Sequence, residues 1–223
     1  MPAPAIDASK AALLMIDFQR DFCEKGGYAD TAWGELGWVE EVIPRAAELL
    51  AACRAAGLLV IHTREGYAPD LSDLGPVKLR RSQAAGATIG GAGPMGRLLI
   101  RGEHGQDTID RLAAQDGESV LDKSTYGAFA STRLLEILRE RNIEQLVFAG
   151  VTADVCVHTT LREAIDRGFD CFYCRDAIST PDAAIREACE KMVEHEGGIW
   201  GWLCTAAEVA ELMQAPAADA EPS

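Results

Sequence analysis

The chain has 223 residues, 48% hydrophobic and 25% charged, a composition typical of soluble folded proteins with a full core. Its formal net charge of -14 argues against nucleic acid or an anionic membrane surface as a partner. No apolar run approaches the roughly 18 residues of a membrane span, and the first residues lack the pattern of a signal peptide. The odd number of seven cysteines favours reduced thiols, and therefore a cytoplasmic protein, over a disulfide scaffold.

Short apolar runs alternate with stretches of helical periodicity along most of the chain. Strands are predicted at 11–16, 58–63, 118–122, 145–150, 169–174 and, from a weaker pattern, 198–204. Helices are predicted at 39–56, 106–115, 131–142, 156–167, 181–195 and 205–213. Apolar strands separated by such helices form right-handed βαβ units, whose helices cover both faces of a parallel sheet. The predicted fold is therefore α/β, a three-layer αβα sandwich around a sheet of about six mostly parallel strands.

Two segments depart from this alternation. The segment 64–105 is rich in Gly, Pro and Arg and has no clear periodicity, and loops of this length are usually functional or mobile. The last residues, 215–223, have the composition of a disordered tail. We therefore expect one domain over residues 1–214, with an active-site loop at 64–105.

Three patterns resemble cofactor or metal motifs but have simpler explanations. The stretch 91–96, GAGPMG, has the spacing of a dinucleotide fingerprint, yet no strand precedes it and a proline interrupts it. Cys171 and Cys174 have the spacing of a redox pair, but they fall within a predicted strand, where such residues point to opposite faces. The four histidines are scattered, and His62 alone follows a strand closely enough to suggest a site residue. We expect no cofactor and no metal.

Three ionisable residues stand where predicted strands end. Asp17 follows the run 11–16, Lys123 follows the third predicted strand, and Cys156 lies where the fourth gives way to a helix. The carboxyl ends of parallel strands meet at one edge of a sheet, where open α/β folds bind ligands. Each residue alone has an ordinary structural explanation, but together they supply a nucleophilic thiol, a base and a neighbouring cation. The cation and the dipole of the following helix are expected to favour the thiolate.

Three stretches carry a resemblance to a known family. They are LMIDFQRDF at 14–22, DKSTYGAF at 122–129 and GVTADVCV at 150–157. Over nearly its whole length the chain resembles the isochorismatase-like cysteine hydrolases, a superfamily that includes nicotinamidase and N-carbamoyl amidases. The resemblance implies a catalytic triad of Asp17, Lys123 and Cys156 and a cis peptide between Val151 and Thr152. It also implies an oxyanion hole formed by the amides of Thr152 and Cys156, and a homo-oligomer, often a tetramer.

Within this superfamily the resemblance favours hydrolysis of C–N bonds without a metal. Nicotinamidases carry an Asp-x-His…His metal motif after the second strand, whereas here 62–67 reads HTREGY. True isochorismatases lack the cysteine and cleave a vinyl ether. The long loop resembles that of biuret hydrolases, so a small ureido compound is the expected substrate and its cleavage would release ammonia or a guanidine.

Two departures from the biuret hydrolases bear on the choice of substrate. Glu196 occupies the place of a glutamine that touches the distal amide, and Tyr126 occupies the place of a second lysine. An anion gained and a cation lost would suit a cationic substrate such as guanylurea, because a buried anion needs a cationic partner. Alternatively, Glu196 points to solvent or pairs with Arg80 or Arg81.

The candidate substrate-binding residues are Phe22, Arg64, Arg81, Tyr126 and Glu196. A different activity is an N-carbamoyl amino acid or ureidoacrylate amidase, whose carboxylate substrate would need a cation such as Arg64, Arg81 or Lys78. A non-catalytic binding protein on the same scaffold is a third hypothesis, because a fold does not dictate a function.

Overall fold

The computed structural model describes residues 2–215. The strands are β1 (Ala11–Ile16), β2 (Leu59–Glu65), β3 (Ala92–Gly93), β4 (Gly96–Arg97), β5 (Ser119–Lys123), β6 (Gln145–Val151), β7 (Asp170–Ser179) and β8 (Trp202–Cys204). The helices are α1 (Arg20–Cys23), α2 (Tyr28–Trp33), α3 (Gly37–Glu40), α4 (Ile43–Ala56), α5 (Pro76–Ala84), α6 (Leu134–Glu140), α7 (His158–Ile165), α8 (Ala183–Gly198) and α9 (Ala206–Leu212).

A six-stranded sheet in the order β5-β2-β1-β6-β7-β8 forms the centre of the fold, and all its neighbouring strands pair in parallel. Alternate side chains of β1 enter two separate apolar cores. Leu13 and Met15 join the core under α4 and α9, whereas Leu14 and Ile16 join the core under α6, α7 and α8. Every residue of β1 is buried because helices cover both faces of the sheet. The predicted three-layer αβα architecture is confirmed.

The six sheet strands lie where the sequence predicts them, with shifted ends. The largest shift is in β7, which runs to Ser179 rather than residue 174. The helix predicted at 106–115 is wrong, because only 3₁₀ turns at His104–Gln106 and Asp110–Leu112 form there. Between the turns the backbone pairs with the segment after β1, where Ile109 N donates to Phe18 O at 3.0 Å and Arg20 N donates to Asp107 O at 2.9 Å. These tertiary hydrogen bonds take the place of helical ones.

The segment 64–105 contains more regular structure than its composition suggests. Pro76 lies in the first turn of α5, where its missing N–H costs nothing. The glycine-rich stretch 91–96 forms a hairpin in which β3 pairs antiparallel with β4, so it is not a strand-to-helix turn of the dinucleotide-binding kind. Glu65, helix α5 and Leu99 of this segment contribute to the site described below.

Cys171 and Cys174 lie on opposite faces of β7, each fully buried in a different core, as the strand periodicity predicts. All seven cysteines are free and buried. None of the helices formed by residues 2–215 is long and apolar enough to cross a bilayer. The predicted tail lies, from residue 216 onwards, outside the described residues.

Candidate active site

Four adjacent strands end at one rim of the sheet, and each delivers an ionisable side chain there. In sheet order, β5 ends at Lys123, β2 ends at Glu65, β1 is followed by Asp17, and β6 leads into the turn that carries Cys156. Asp17 and Lys123 are completely buried, and Cys156 and Glu65 are almost so. The parallel arrangement of the strands therefore brings together groups that lie far apart in the sequence.

Asp17 is held rigidly by its backbone and by a hydroxyl. It has a φ of 54°, in the left-handed region that costs a non-glycine residue free energy, and this conformation turns the chain out of β1. Thr63 Oγ1 donates a hydrogen bond of 2.7 Å to Asp17 Oδ1, and Lys123 Nζ lies 2.7 Å from Asp17 Oδ2. Within residues 2–215 no well-aligned hydrogen bond reaches Oδ2, so this oxygen retains a lone pair that can accept a proton.

Lys123 connects the acidic groups to the thiol. Besides its contact with Asp17, Nζ lies 3.4 Å from Cys156 Sγ and 3.8 Å from Glu65 Oε2. Burial alone would lower the pKa of the lysine, but the charge of Asp17, with that of Glu65, opposes burial, and the pKa is raised. The group is therefore an ammonium in the resting protein.

Cys156 is presented by an irregular turn. Beyond β6 comes a cis peptide between Val151 and Thr152, as the family resemblance implies. A π-helical turn at Ala153–Val157 then precedes α7. Such turns are rare and concentrate at functional sites. A Cβ on Gly150 would lie 2.3 Å from Ile16 O, so only glycine lets β6 approach β1 this closely. The sequence places Cys156 at the start of the helix, whereas α7 begins only at His158.

The thiol, rather than the thiolate, is the resting form of Cys156. Burial raises the pKa of Cys156 well above its usual range, Lys123 lowers it, and Asp17 and Glu65 raise it further. Lys123 favours the thiolate, as the sequence predicts, but burial and the two carboxylates outweigh it. Two anions near the sulfur offset the cation, so a base has to remove the proton when the sulfur attacks.

A cavity of about 510 Å³ opens directly over the sulfur. This size is in the range of small-molecule sites. Its apolar wall includes Phe22, Tyr28, Trp33, Ile89, Leu99 and Tyr126. Glu65, Cys156 and Thr152 also line it, whereas the buried side chains of Asp17 and Lys123 lie behind them. Lys78 and Arg81, both on α5, add two cations.

The structure brings most of the predicted site residues together and leaves two of them outside the cavity. Asp17, Lys123 and Cys156 are in contact, and Thr152 adjoins them. Three of the predicted substrate-binding residues, Phe22, Arg81 and Tyr126, line the cavity. Arg64 and Glu196 do not.

Arg64 projects from β2 on the side away from the cavity, where it binds Asp122 at 2.8 Å and Asp107 at 2.7 Å. Glu196 lies in a break at the end of α8, with a φ of 50°. Its side chain is 64% exposed, and its ion-pair contact is His195 at 3.7 Å rather than Arg80 or Arg81. The open helix end leaves Glu196 in solvent, so the structure does not place it opposite a bound substrate.

His62 points toward the opposite end of the sheet. Its Nε2 lies 3.1 Å from Glu118 Oε2, and burial lowers the pKa of the imidazole. It is therefore a hydrogen-bonded structural residue rather than a residue of the site.

Sequence reasoning misses Glu65 as a site residue, and it names the ion-pair partner of Glu65, Lys78, only as a possible cation for a carboxylate substrate. Glu65 ends β2 in the way that Lys123 ends β5, so the same rule would find it had the strand been predicted two residues longer.

Asp17, Glu65 and Cys156 place their ligand atoms within 4.8 Å of one another, a spacing suited to a metal. The cation that these groups hold is the ammonium of Lys123, so the arrangement does not fit a metal site.

Residues 11–208 match the isochorismatase domain model. The chain belongs to the isochorismatase family. The chain is 32% identical to ureidoacrylate amidohydrolase RutB of Methylorubrum extorquens over 207 residues, and this alignment covers 91% of this chain and 82% of that protein. RutB of Variovorax paradoxus is 31% identical over 209 residues, 92% of this chain and 82% of that protein. These relatives are not biuret or guanylurea hydrolases.

Solved structures share the fold. A cysteine hydrolase from Pseudomonas syringae pv. phaseolicola superposes with a TM-score of 0.80 at 24% identity, covering 96% of this chain and 98% of that one. N-carbamoylsarcosine amidase from Thermoplasma acidophilum gives a TM-score of 0.67 at 22% identity, covering 88% and 96%.

Proposed function

We propose that the protein is a cysteine-dependent amidohydrolase that cleaves a C–N bond in a small ureido acid, an N-carbamoyl compound with a carboxylate. The observation that carries the proposal is the position of Lys123 Nζ, 2.7 Å from Asp17 Oδ2 and 3.4 Å from Cys156 Sγ, beneath a substrate-sized cavity. A thiol, a proton acceptor and a cation in contact are the parts that covalent catalysis by cysteine needs. The similarity to ureidoacrylate amidohydrolases supports the same class of substrate.

Arg81 is the proposed partner of the substrate carboxylate. It is exposed on α5, lines the cavity, and within residues 2–215 forms no ion pair. Lys78 is less suitable because Glu65 Oε1 already pairs with it at 3.0 Å. An ammonium already paired with a carboxylate has less to gain from a second one.

Two rim carboxylates, Asp154 and Asp182, are engaged by the protein. Asp154 accepts a hydrogen bond of 2.7 Å from Thr180, and Asp182 caps α8. With Glu196 in solvent, the anion on which a preference for guanylurea depends is absent from the cavity wall. Arg81, a lining cation that forms no ion pair within residues 2–215, therefore supports a carboxylate substrate over a cationic one.

The first half of the proposed reaction forms a covalent intermediate. Cys156 Sγ attacks the ureido carbon while its proton passes to Asp17 Oδ2, and the carbonyl oxygen becomes an oxyanion that the amides of Thr152 and Cys156 stabilise. Lys123 compensates the charge on the sulfur. When the oxyanion collapses, the C–N bond breaks, and Asp17 returns the proton to the leaving nitrogen. A carbamoyl thioester remains on the sulfur.

The second half regenerates the enzyme. A water molecule gives a proton to Asp17 and attacks the thioester carbon, the C–S bond breaks, and the sulfur regains its proton. If the substituted nitrogen leaves, the second product is carbamate, which decomposes to ammonia and carbon dioxide. If the terminal –NH₂ leaves, ammonia is released in the first half, and the remaining N-substituted carbamate decomposes to an amine and carbon dioxide. Ammonia therefore reports the reaction whichever C–N bond is cleaved.

The experiment is an ammonia-release screen that compares ureido acids, biuret and guanylurea at equal concentrations, with Cys156→Ala as the inactive control. We expect ureidoacrylate or an N-carbamoyl amino acid to have the highest kcat/KM and the alanine variant to release nothing. Turnover confined to biuret or guanylurea would reject the carboxylate. No turnover at all, despite an alkylatable Cys156, would favour a binding protein.

A further inference from the structure

Glu65 is a buried carboxylate at the catalytic centre for which the reaction above has no role. It is 5% exposed and lines the cavity. Its Oε2 lies 3.6 Å from Cys156 Sγ and 3.8 Å from Lys123 Nζ. A carboxylate is costly to bury, so one that directly touches the nucleophile calls for an explanation.

The backbone of Glu65 is fixed on both sides by one side chain. Gln19 Nε2 donates to Glu65 O at 2.8 Å, and Glu65 N donates to Gln19 Oε1 at 2.6 Å. Gln19 therefore extends the pairing of β2 beyond the end of β1. This double hydrogen bond fixes the point from which the carboxylate enters the site.

The two oxygens of Glu65 have different surroundings. Tyr67 donates to Oε1 at 2.6 Å, and Lys78 donates to the same oxygen at 3.0 Å. Lys78 also touches the Tyr67 hydroxyl and donates to Ser124 O at 3.0 Å, which ties this cluster to α5. Within residues 2–215, the hydrogen-bond donor to Oε2 is the thiol of Cys156, while Lys123 Nζ lies 3.8 Å away. Once the thiol proton has left, Oε2 needs a new donor.

Glu65 is an anion in the resting protein. Burial raises its pKa, but the ammonium groups of Lys123 and Lys78 outweigh burial and hold the pKa of this carboxyl below its ordinary value. It has no proton to donate to a leaving group, so its chemistry is that of a hydrogen-bond acceptor.

We propose that Glu65 Oε2 accepts a hydrogen bond from the terminal carbamoyl –NH₂ of the substrate and so selects compounds in which that nitrogen carries hydrogen. The nitrogens on the attacked carbon lie about 3 Å from the sulfur, and Oε2 lies 3.6 Å from the same sulfur on the cavity wall, so a substrate whose –NH₂ faces Glu65 brings the two groups within hydrogen-bond distance. The substrate N–H then replaces the thiol as the donor to Oε2. This inference depends on the proposed ureido substrate, and it names the group that recognises the carbamoyl end.

The test compares Glu65→Gln with Glu118→Gln, the matched control. Glu118 is another largely buried, ion-paired carboxylate, bound by Arg54 at 2.7 Å at the opposite edge of the sheet. Three rates are measured. They are turnover of the best ureido substrate, turnover of p-nitrophenyl acetate, which carries no N–H on either side of the attacked carbon, and modification of Cys156 by methyl methanethiosulfonate.

For Glu65→Gln we expect kcat/KM on the ureido substrate to fall about 10- to 100-fold, as expected when a hydrogen bond to a charged group is lost. Ester turnover changes by no more than about threefold, because it does not use this bond. Thiol modification becomes faster, since Glu65 raises the pKa of Cys156. Glu118→Gln leaves all three rates unchanged. Equal losses on the ureido substrate and the ester would make Glu65 a proton acceptor or a structural residue, and no loss on either would also overturn the proposal.

A second arm needs no turnover, so it separates this inference from the proposed function. Urea and tetramethylurea, at equal concentration, are tested for protection of Cys156 against methyl methanethiosulfonate. We expect urea to protect the wild type but not Glu65→Gln, and tetramethylurea to protect neither. Equal protection by both compounds, equal protection of both proteins, or no protection by urea would reject the role of Glu65 even if a ureido acid is hydrolysed. A silent ammonia screen with selective protection by urea would reject only the proposed substrate.

Discussion

The substitution Asp17→Asn removes the proposed proton acceptor while preserving the shape of the side chain. The asparagine Oδ1 can still accept the hydrogen bond of Thr63, but an N–H donor replaces the oxygen that lies 2.7 Å from Lys123 Nζ. The base is lost, and two donors then face each other in a buried site. Loss of a positioned general base typically costs about 10²- to 10⁴-fold in rate, and we expect kcat/KM to fall by this amount for ureido and ester substrates alike.

The cost in stability follows from the partners that remain. Removing one member of a buried ion pair typically costs about 3–5 kcal/mol. Lys123 keeps Glu65 Oε2 at 3.8 Å and the sulfur at 3.4 Å, so the loss is expected near the lower end, about 3 kcal/mol. Denaturation in urea measures this free energy of unfolding.

Thiol reactivity changes in the opposite direction. Asp17 raises the pKa of Cys156, so its neutralisation lowers that pKa and leaves the ammonium of Lys123 to pair with a thiolate. Modification of Asp17→Asn by methyl methanethiosulfonate at neutral pH is therefore faster than that of the wild type, although turnover is slower. A slower modification, or turnover within threefold of the wild type, would refute this assignment of the base.

Three further outcomes are expected. Replacing Arg81 by methionine raises the KM for a ureido acid about 10- to 100-fold, with a smaller effect on kcat, and leaves the kinetics with biuret unchanged, because only the acid presents a carboxylate. Glu196→Gln is the control. An equal loss of kcat/KM with biuret would contradict the pairing of Arg81 with the carboxylate. Burial raises the pKa of Glu118, but hydrogen bonds from Arg54, the Gln115 amide and His62 outweigh it and lower the pKa to about 2. The stability that Glu118 contributes is therefore present above its unfolded pKa of about 4.3 and is lost as the pH falls toward 2. In urea titrations we expect Glu118→Gln to lower the free energy of unfolding by about 1–2 kcal/mol at pH 7 and hardly at all at pH 2. A difference between variant and wild type that stays constant with pH would contradict this. In the wild type, modification of Cys156 rises with pH to a midpoint above the ordinary thiol value of about 8.5, since burial raises its pKa, and a midpoint below that value would show a resting thiolate.

Much of the sheet and the positions of Asp17, Lys123 and Cys156 can be predicted from the sequence, because one rule governs both. Buried parallel strands appear as short apolar runs, and the polar residue that ends each run comes to the same edge. This convergence requires that the strands be parallel, and the crossover helices that parallel strands need are long enough to recognise in the sequence. The role of each of these residues in catalysis stays a prediction.

Arg64 and Glu65 show where that reasoning ends. Adjacent residues of a strand point to opposite faces, so a shift of one position decides which of the two reaches the cavity. The sequence has no apolar alternation there to fix the phase, and the structure turns Glu65 inward and pairs Arg64 with Asp122 and Asp107. Glu196 depends on the geometry of a helix end, and the backbone break after α8 that leaves it in solvent has no clear signal in the sequence.

The resting charge of the thiol also could not be predicted from the sequence. A cysteine beside a lysine at a helix start suggests a thiolate, but burial of the sulfur, together with two nearby carboxylates, outweighs the lysine and raises the pKa. One of them, Glu65, becomes visible only when the end of β2 is known. The direction of a pKa shift depends on burial and on every charged neighbour, and the sequence alone gives neither completely.

The most direct measurement is mass spectrometry of the wild-type protein, quenched in acid during steady-state turnover of a ureido acid and then digested. The proposed mechanism predicts a carbamoyl or acyl adduct on the peptide that contains Cys156, and none in Cys156→Ala. Sustained release of ammonia by the alanine variant, or an adduct on a different residue, would contradict it.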